Sequence, residues 1–98
     1  MEEFVYGGVP RSRFEAIVNR HIKGLTTHYM REHNLTEDGA LSYIVSTGFI
    51  GYLKNPDNRL FMEHLGILIE AIDIGHEDRG LMIKFMYDQT GVKPELIE

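Results

Sequence analysis

A chain of 98 residues with 43% apolar and 26% charged side chains has the composition of one folded domain, not of a disordered segment. The absence of cysteine removes disulfides, thiolate zinc sites and cysteine nucleophiles together and fits a reducing compartment. A net charge of −5 works against binding to a nucleic-acid backbone.

The charge is unevenly spread. Residues 1–34 carry five basic residues (Arg11, Arg13, Arg20, Lys23, Arg31) against four acidic ones, whereas residues 35–98 carry five against eleven. The beginning, MEEFVYGGVPRSRF, starts acidic and lacks the apolar run of a signal peptide. The most apolar stretch, 60–74, is too short and too charged to span a bilayer. Both observations point to a cytoplasmic protein.

In chain order, residues 1–11 read as an arm, with Phe4 to Tyr6 extended and Gly7-Gly8 and Pro10 as breaks. Ser12-Arg-Phe-Glu15 has the form of a capping box, so a helix is expected over 12–33. Its core face carries Phe14, Val18, Ile22, Leu25 and Tyr29. A second helix is expected over 36–47, opened by Thr36 and the acidic Glu37 and Asp38, with Leu41, Ile44 and Val45 inward and Gly48 as its stop. Residues 49–54 are either its bent continuation or a separate turn. Asn55-Pro56-Asp57-Asn58 is a turn.

The central element is expected over 58–74. Phe61, Leu65, Leu68 and Ile72 make one stripe, and Met62, Ile69, Leu60, Ile67 and Ala71 widen it over most of the circumference. Gly75 reads as its end. Residues 78–90 are expected to be helical, with Leu81 and Phe85 on one face, although Leu81, Ile83, Phe85 and Tyr87 also alternate as a strand would. Residues 92–98 read as a frayed tail. The fold class is thus all-α, a bundle of three to four helices around 59–74. The surplus apolar surface of that helix predicts a homodimer, with Leu60, Ile67, Ala71 and Ile74 at the interface.

Surface chemistry concentrates on the first helix. Arg13, Arg20 and Arg31 fall within about 20° of one line. That line is about 27 Å long. Ile17 and His28 flank it, Gly24 leaves a bare gap in it, and Lys23 projects away. It is a solvated face or a docking strip for an acidic partner protein, through Arg13, Ile17, Arg20 and Arg31. His21, His28 and His76 with nearby carboxylates are the material for a small-molecule- or metal-dependent activity. Yet the H-x-x-x-E-H spacing at 28–33 matches no zinc-protease motif. Glu70, Asp73, His76, Glu77 and Asp78 cluster as an acidic helix end. Gly7-Gly8 ahead of Arg11 and Arg13 lacks a Walker or dinucleotide fingerprint. No catalytic residue, cofactor or metal site emerges. A nucleic-acid-binding regulator is the other alternative, although three arginines without interleaved aromatics support it poorly.

Leu35-Thr36, Ala40-Leu41, Gly48, Leu53 and Leu60-Phe61 follow the pattern of an L-[ST]-x-x-x-A-L helix start, a small-residue bend, a leucine before a polar turn and an aromatic helix. Over residues 35–72 the chain resembles a group of short bacterial helical proteins of unknown function, often accessory products of mobile elements. The resemblance implies interaction in place of catalysis and carries over no functional residue.

Overall fold

Residues 3–96 are described by a computed structural model, and α-helices dominate it. Phe4–Val5 (β1) and Val9–Pro10 (β2) pair antiparallel, with Phe4 opposite Pro10 and Val5 opposite Val9. The turn between them holds Gly7 at φ +77° and Gly8 at φ +73°, where a Cβ would be strained. The arm is therefore a closed hairpin. The Arg11 amide fastens its open end by donating to the Glu3 carbonyl at 2.8 Å.

Helix α1, Arg11–Glu32, starts one residue before the expected capping box, with Pro10 at the cap position. Phe14, Val18, Leu25 and Tyr29 are buried as their spacing predicts, and Ile22 is half-buried. Helix α2, Glu37–Val45, is capped by Thr36, whose hydroxyl accepts from the Gly39 amide at 3.1 Å. Ala40 and Ile44, four residues apart, form its core line. Leu41 (39% exposed) and Val45 (53%) flank that line in solvent, contrary to the expected inward set. Gly48, at φ +80°, turns the chain into a separate short helix, α3, Phe49–Leu53.

The expected continuous helix over 58–74 does not form. Pro56–Asn58 and Leu60–Met62 are single 3-10 turns, separated by Arg59 in the left-handed region at φ +63°. Glu63 and His64 are extended, and helix α4 begins only at Leu65 and runs to Glu77. Side-chain contacts hold this path. Phe61 packs edge-on against Phe14 with centroids 4.9 Å apart, and the His21 imidazole donates from Nε2 to the Phe61 carbonyl at 2.9 Å. The Arg59 guanidinium lies over the Tyr6 ring at 4.4 Å, holding the hairpin down.

Leu60 and Ala71, expected at a dimer interface, are 1% and 0% exposed within this chain. Ile67 and Ile74 are half-buried. The reason is that α1, α3 and the last helix already cover α4, so its apolar surplus is used internally.

Helix α5, Arg79–Thr90, settles 81–89 as helical. Asp78 caps it, accepting from the Gly80 and Leu81 amides at 2.8 and 3.3 Å, and Gly91 ends it at φ +75°. Its buried pair is Met82 and Met86; Leu81 is 53% exposed. Gly75 is not a stop. It lets α5 approach α4, since a Cβ there would stand 2.5 Å from the Met82 sulfur.

The tail is also ordered where described. Pro94 is buried, and the Asn58 amide nitrogen donates to the Glu95 carbonyl at 2.8 Å while the Glu95 amide donates back to Asn58 Oδ1 at 2.8 Å. The remaining positions of that stretch, 97 and 98, lie outside the described residues. Among the described residues no helix is long and apolar enough to cross a membrane.

Candidate docking groove

The outward face of α1 and the first turn of α4 enclose an open groove of 710 Å³. Its rim carries Arg20, Lys23 and Arg31, with Thr27 and His28 between them, and Leu65 forms an apolar floor. Residues three and four apart on a helix are neighbours, so Arg20, Lys23, Thr27 and Arg31 make one ladder along the rim. Gly24 does not leave the expected bare gap. Leu65 fills it, lying 3.3 Å from where a Cβ would be, because α4 rests on that side of α1. Lys23, expected to project away, lines the groove instead. A flexible four-carbon stem spans the angular offset that a projection of Cα positions assigns it.

Among the described residues, no carboxylate forms an ion pair with Arg13, Arg20, Lys23 or Arg31; the pair recorded is Arg11–Glu3 at 3.1 Å, on the surface. Arg13 is exposed but stands outside the groove, and Ile17 is half-buried against the core. The structure thus brings together two of the four expected partner-binding residues, Arg20 and Arg31, and adds Lys23 and Leu65. Leu65 was hidden from sequence reasoning because its stripe position marked it as core.

A second depression of 530 Å³ adjoins the groove where α1 ends, bounded by α2 and α4. Its walls include His28, Glu32, His33, Tyr43, Asp73, His76 and Glu77. The rings pack on one another: Tyr43 stacks on His76 at 3.6 Å, and His33 lies 4.7 Å from Tyr43 and 5.7 Å from Tyr29. Beneath them the buried Tyr29 hydroxyl donates to Asp73 Oδ1 at 2.6 Å and to the Ile69 carbonyl at 3.1 Å. Burial, first, and the Asp73 carboxylate, second, push the Tyr29 phenol far above its ordinary range; the same two causes raise Tyr43.

The histidines read as metal or catalytic candidates have structural partners. His21 holds the Phe61 carbonyl, His28 packs edge-on to Tyr29 at 4.8 Å, and His76 donates from Nε2 to the Tyr43 carbonyl at 2.9 Å. Those two carbonyls only accept, so Nε2 carries the proton in His21 and His76. In the acidic cluster at the end of α4, Asp73 takes the Tyr29 hydroxyl and Asp78 caps α5, so the two face different tasks. Among the described residues no three His, Asp or Glu side chains converge as metal ligands. Gly7-Gly8 forms the hairpin turn, with nothing within 4 Å of either Cβ position.

Comparison with protein-family models, with curated proteins and with solved structures finds no match to this chain. The likeness over residues 35–72 therefore rests on its motif residues alone.

Proposed function

We propose that this chain is a small protein-interaction module that docks an acidic surface of a partner protein in the α1–α4 groove and performs no catalysis. One observation carries the reading: Arg20, Lys23 and Arg31 surround the apolar floor of Leu65 and, among the described residues, have no intramolecular carboxylate partner. On α1 no carboxylate stands three or four residues from Arg20, Lys23 or Arg31, so no helical neighbour neutralises them. Here the acid that lines the groove, Glu32, turns to the neighbouring depression as well. An acidic segment with one apolar side chain would meet both the rim and the floor, and such complementarity governs association rate and specificity. The lack of cysteine fits a cytoplasmic setting. The likeness to accessory proteins of bacterial mobile elements agrees with docking in place of chemistry.

Poly-L-glutamate is the probe that tests the groove. Titrated into the isotope-labelled chain, it should shift amides of residues 20–31 and the first turn of α4, and the effect should fade as salt is raised. The double variant R20E/R31E should lose the shifts while its helicity stays unchanged. Undiminished binding by that variant would remove the groove from consideration.

A further inference from the structure

The basic groove and the aromatic depression are two halves of one cleft. Helices α1 and α4 run in the same direction along it. Leu65, at the start of α4, rests on Gly24, and Ile69 and Asp73, further on, receive the Tyr29 hydroxyl. His28 and Glu32 line both halves and mark the junction. Toward the start of the strip the cleft carries Arg20 and Lys23, and toward its far end Asp73 and Glu77; Arg31 and Glu32 adjoin at the junction. Among the described residues no ion pair joins the two sets. Two positive charges near one end and two negative charges toward the other are thus laid out along one strip by the fold, with Arg31 and Glu32 between them.

A strip that is positive at one end and negative at the other is complementary to itself. A two-fold axis through its middle sets the positive half of each copy against the negative half of the other, and satisfies both ends at once. A foreign acidic segment would satisfy only one half. We infer that a second copy of this chain occupies the cleft, the two α1–α4 strips antiparallel about an axis near His28 and Glu32. Each basic groove then receives the carboxylates of the other copy. This interface differs from the one expected through Leu60, Ile67, Ala71 and Ile74, of which Leu60 and Ala71 are buried in the core. The net charge of −5 on each copy opposes association at long range. Physiological salt screens that repulsion beyond about 8 Å. Pairing across the strip acts at contact distance. This inference goes beyond the docking reading and does not depend on it; it implies that self-association and docking of an acidic partner compete for one groove.

The test is a charge swap read by sedimentation equilibrium on the full chain in physiological salt. The variants are R20E, E77R and R20E/E77R. Both positions are exposed, and circular dichroism checks that each variant keeps its helicity. Every cross-strip pair occurs twice in a two-fold dimer, so each single variant should weaken the dimer by about tenfold or more. The double variant, which reverses the pair without removing it, should restore the dissociation constant to within about threefold of wild type. The inference is overturned by a wild-type mass of 11.3 kDa that persists up to about 1 mM protein. It is overturned equally if the singles leave the dimer intact, or if the double is no better than either single. Poly-L-glutamate binding separates the two readings. R20E should weaken it, and E77R should keep or strengthen it by freeing the groove. Binding of the probe by a chain that stays monomeric retains the docking reading and removes the dimer. A charge-swap rescue in a chain that ignores the probe does the reverse.

Discussion

Tyr29 is the residue on which α1, α2 and α4 meet. Its ring is fully buried, lies 4.8 Å from Tyr43, and its hydroxyl joins the Asp73 carboxylate. Because burial raises its phenol above the ordinary value of 10.0, the folded chain keeps a proton that the unfolded chain releases. The stabilisation is complete below about pH 10 and falls as pH rises beyond it. Tyr29→Phe should cost about 1 kcal/mol near neutral pH, where a hydrogen bond is lost and the exposed Asp73 is rehydrated. Urea melts at about pH 8 and pH 11 should then show a smaller alkaline loss for the variant than for wild type. Parallel losses would assign the alkaline sensitivity to other groups. The place of Tyr29 on the core face was legible from its spacing with Phe14, Val18 and Leu25. Its partner was not, because Asp73 lies 44 residues away and nothing local announces it. The same holds for His21 and His76, whose carbonyl partners are 40 and 33 residues off.

Elements were legible where local chemistry fixes them. Thr36 opened α2 as a hydroxyl cap does, with Glu37 and Asp38 in its first turn. Asp78 read as part of an acidic helix end, and only the structure shows it capping α5. The break before α4 was illegible. Residues 59–64 contain no glycine or proline, and Leu60 and Phe61 sit at helical spacing, so only packing against α1 reveals the turn. Long-range contact also decided Gly75, Gly24 and the inward face of α5. Gly75→Ala should destabilise by about 1–3 kcal/mol, because the new methyl group meets Met82, which is fully buried, and Thr47, whose Cβ is 3.3 Å away. The helix-propensity gain of about 1 kcal/mol does not offset this. Gly24→Ala meets only the end of Leu65 at 3.3 Å, so its thermal midpoint should stay near wild type. Equal effects at the two glycines would refute the close approach of α4 and α5. The groove was half legible for a related reason: helical projection found Arg20 and Arg31, but the floor beneath them comes from another helix.

At the scale of the molecule, two consecutive residues fasten both terminal segments. Arg59 holds Tyr6 of the N-terminal hairpin, and Asn58, 2% exposed, clasps Glu95 and donates to the Tyr52 carbonyl at 2.9 Å. Asn58→Ala removes three hydrogen bonds from a buried site and should cost about 2–4 kcal/mol. It should also release the tail, so that a glutamate-specific protease cuts after Glu95 faster than within the helices; unchanged cleavage there would mean that Pro94 and the Asn55 amide, which donates to the Glu95 carbonyl at 3.2 Å, hold the segment without Asn58. The clasp also sets how the molecule bears load. A pull applied through Tyr6 and Glu95 runs first through the short bridge Tyr6–Arg59–Asn58–Glu95, and the α-helices lie off that line. They are shielded until the bridge shears, so stretching from the two ends should open the termini in a small early step before the bundle yields.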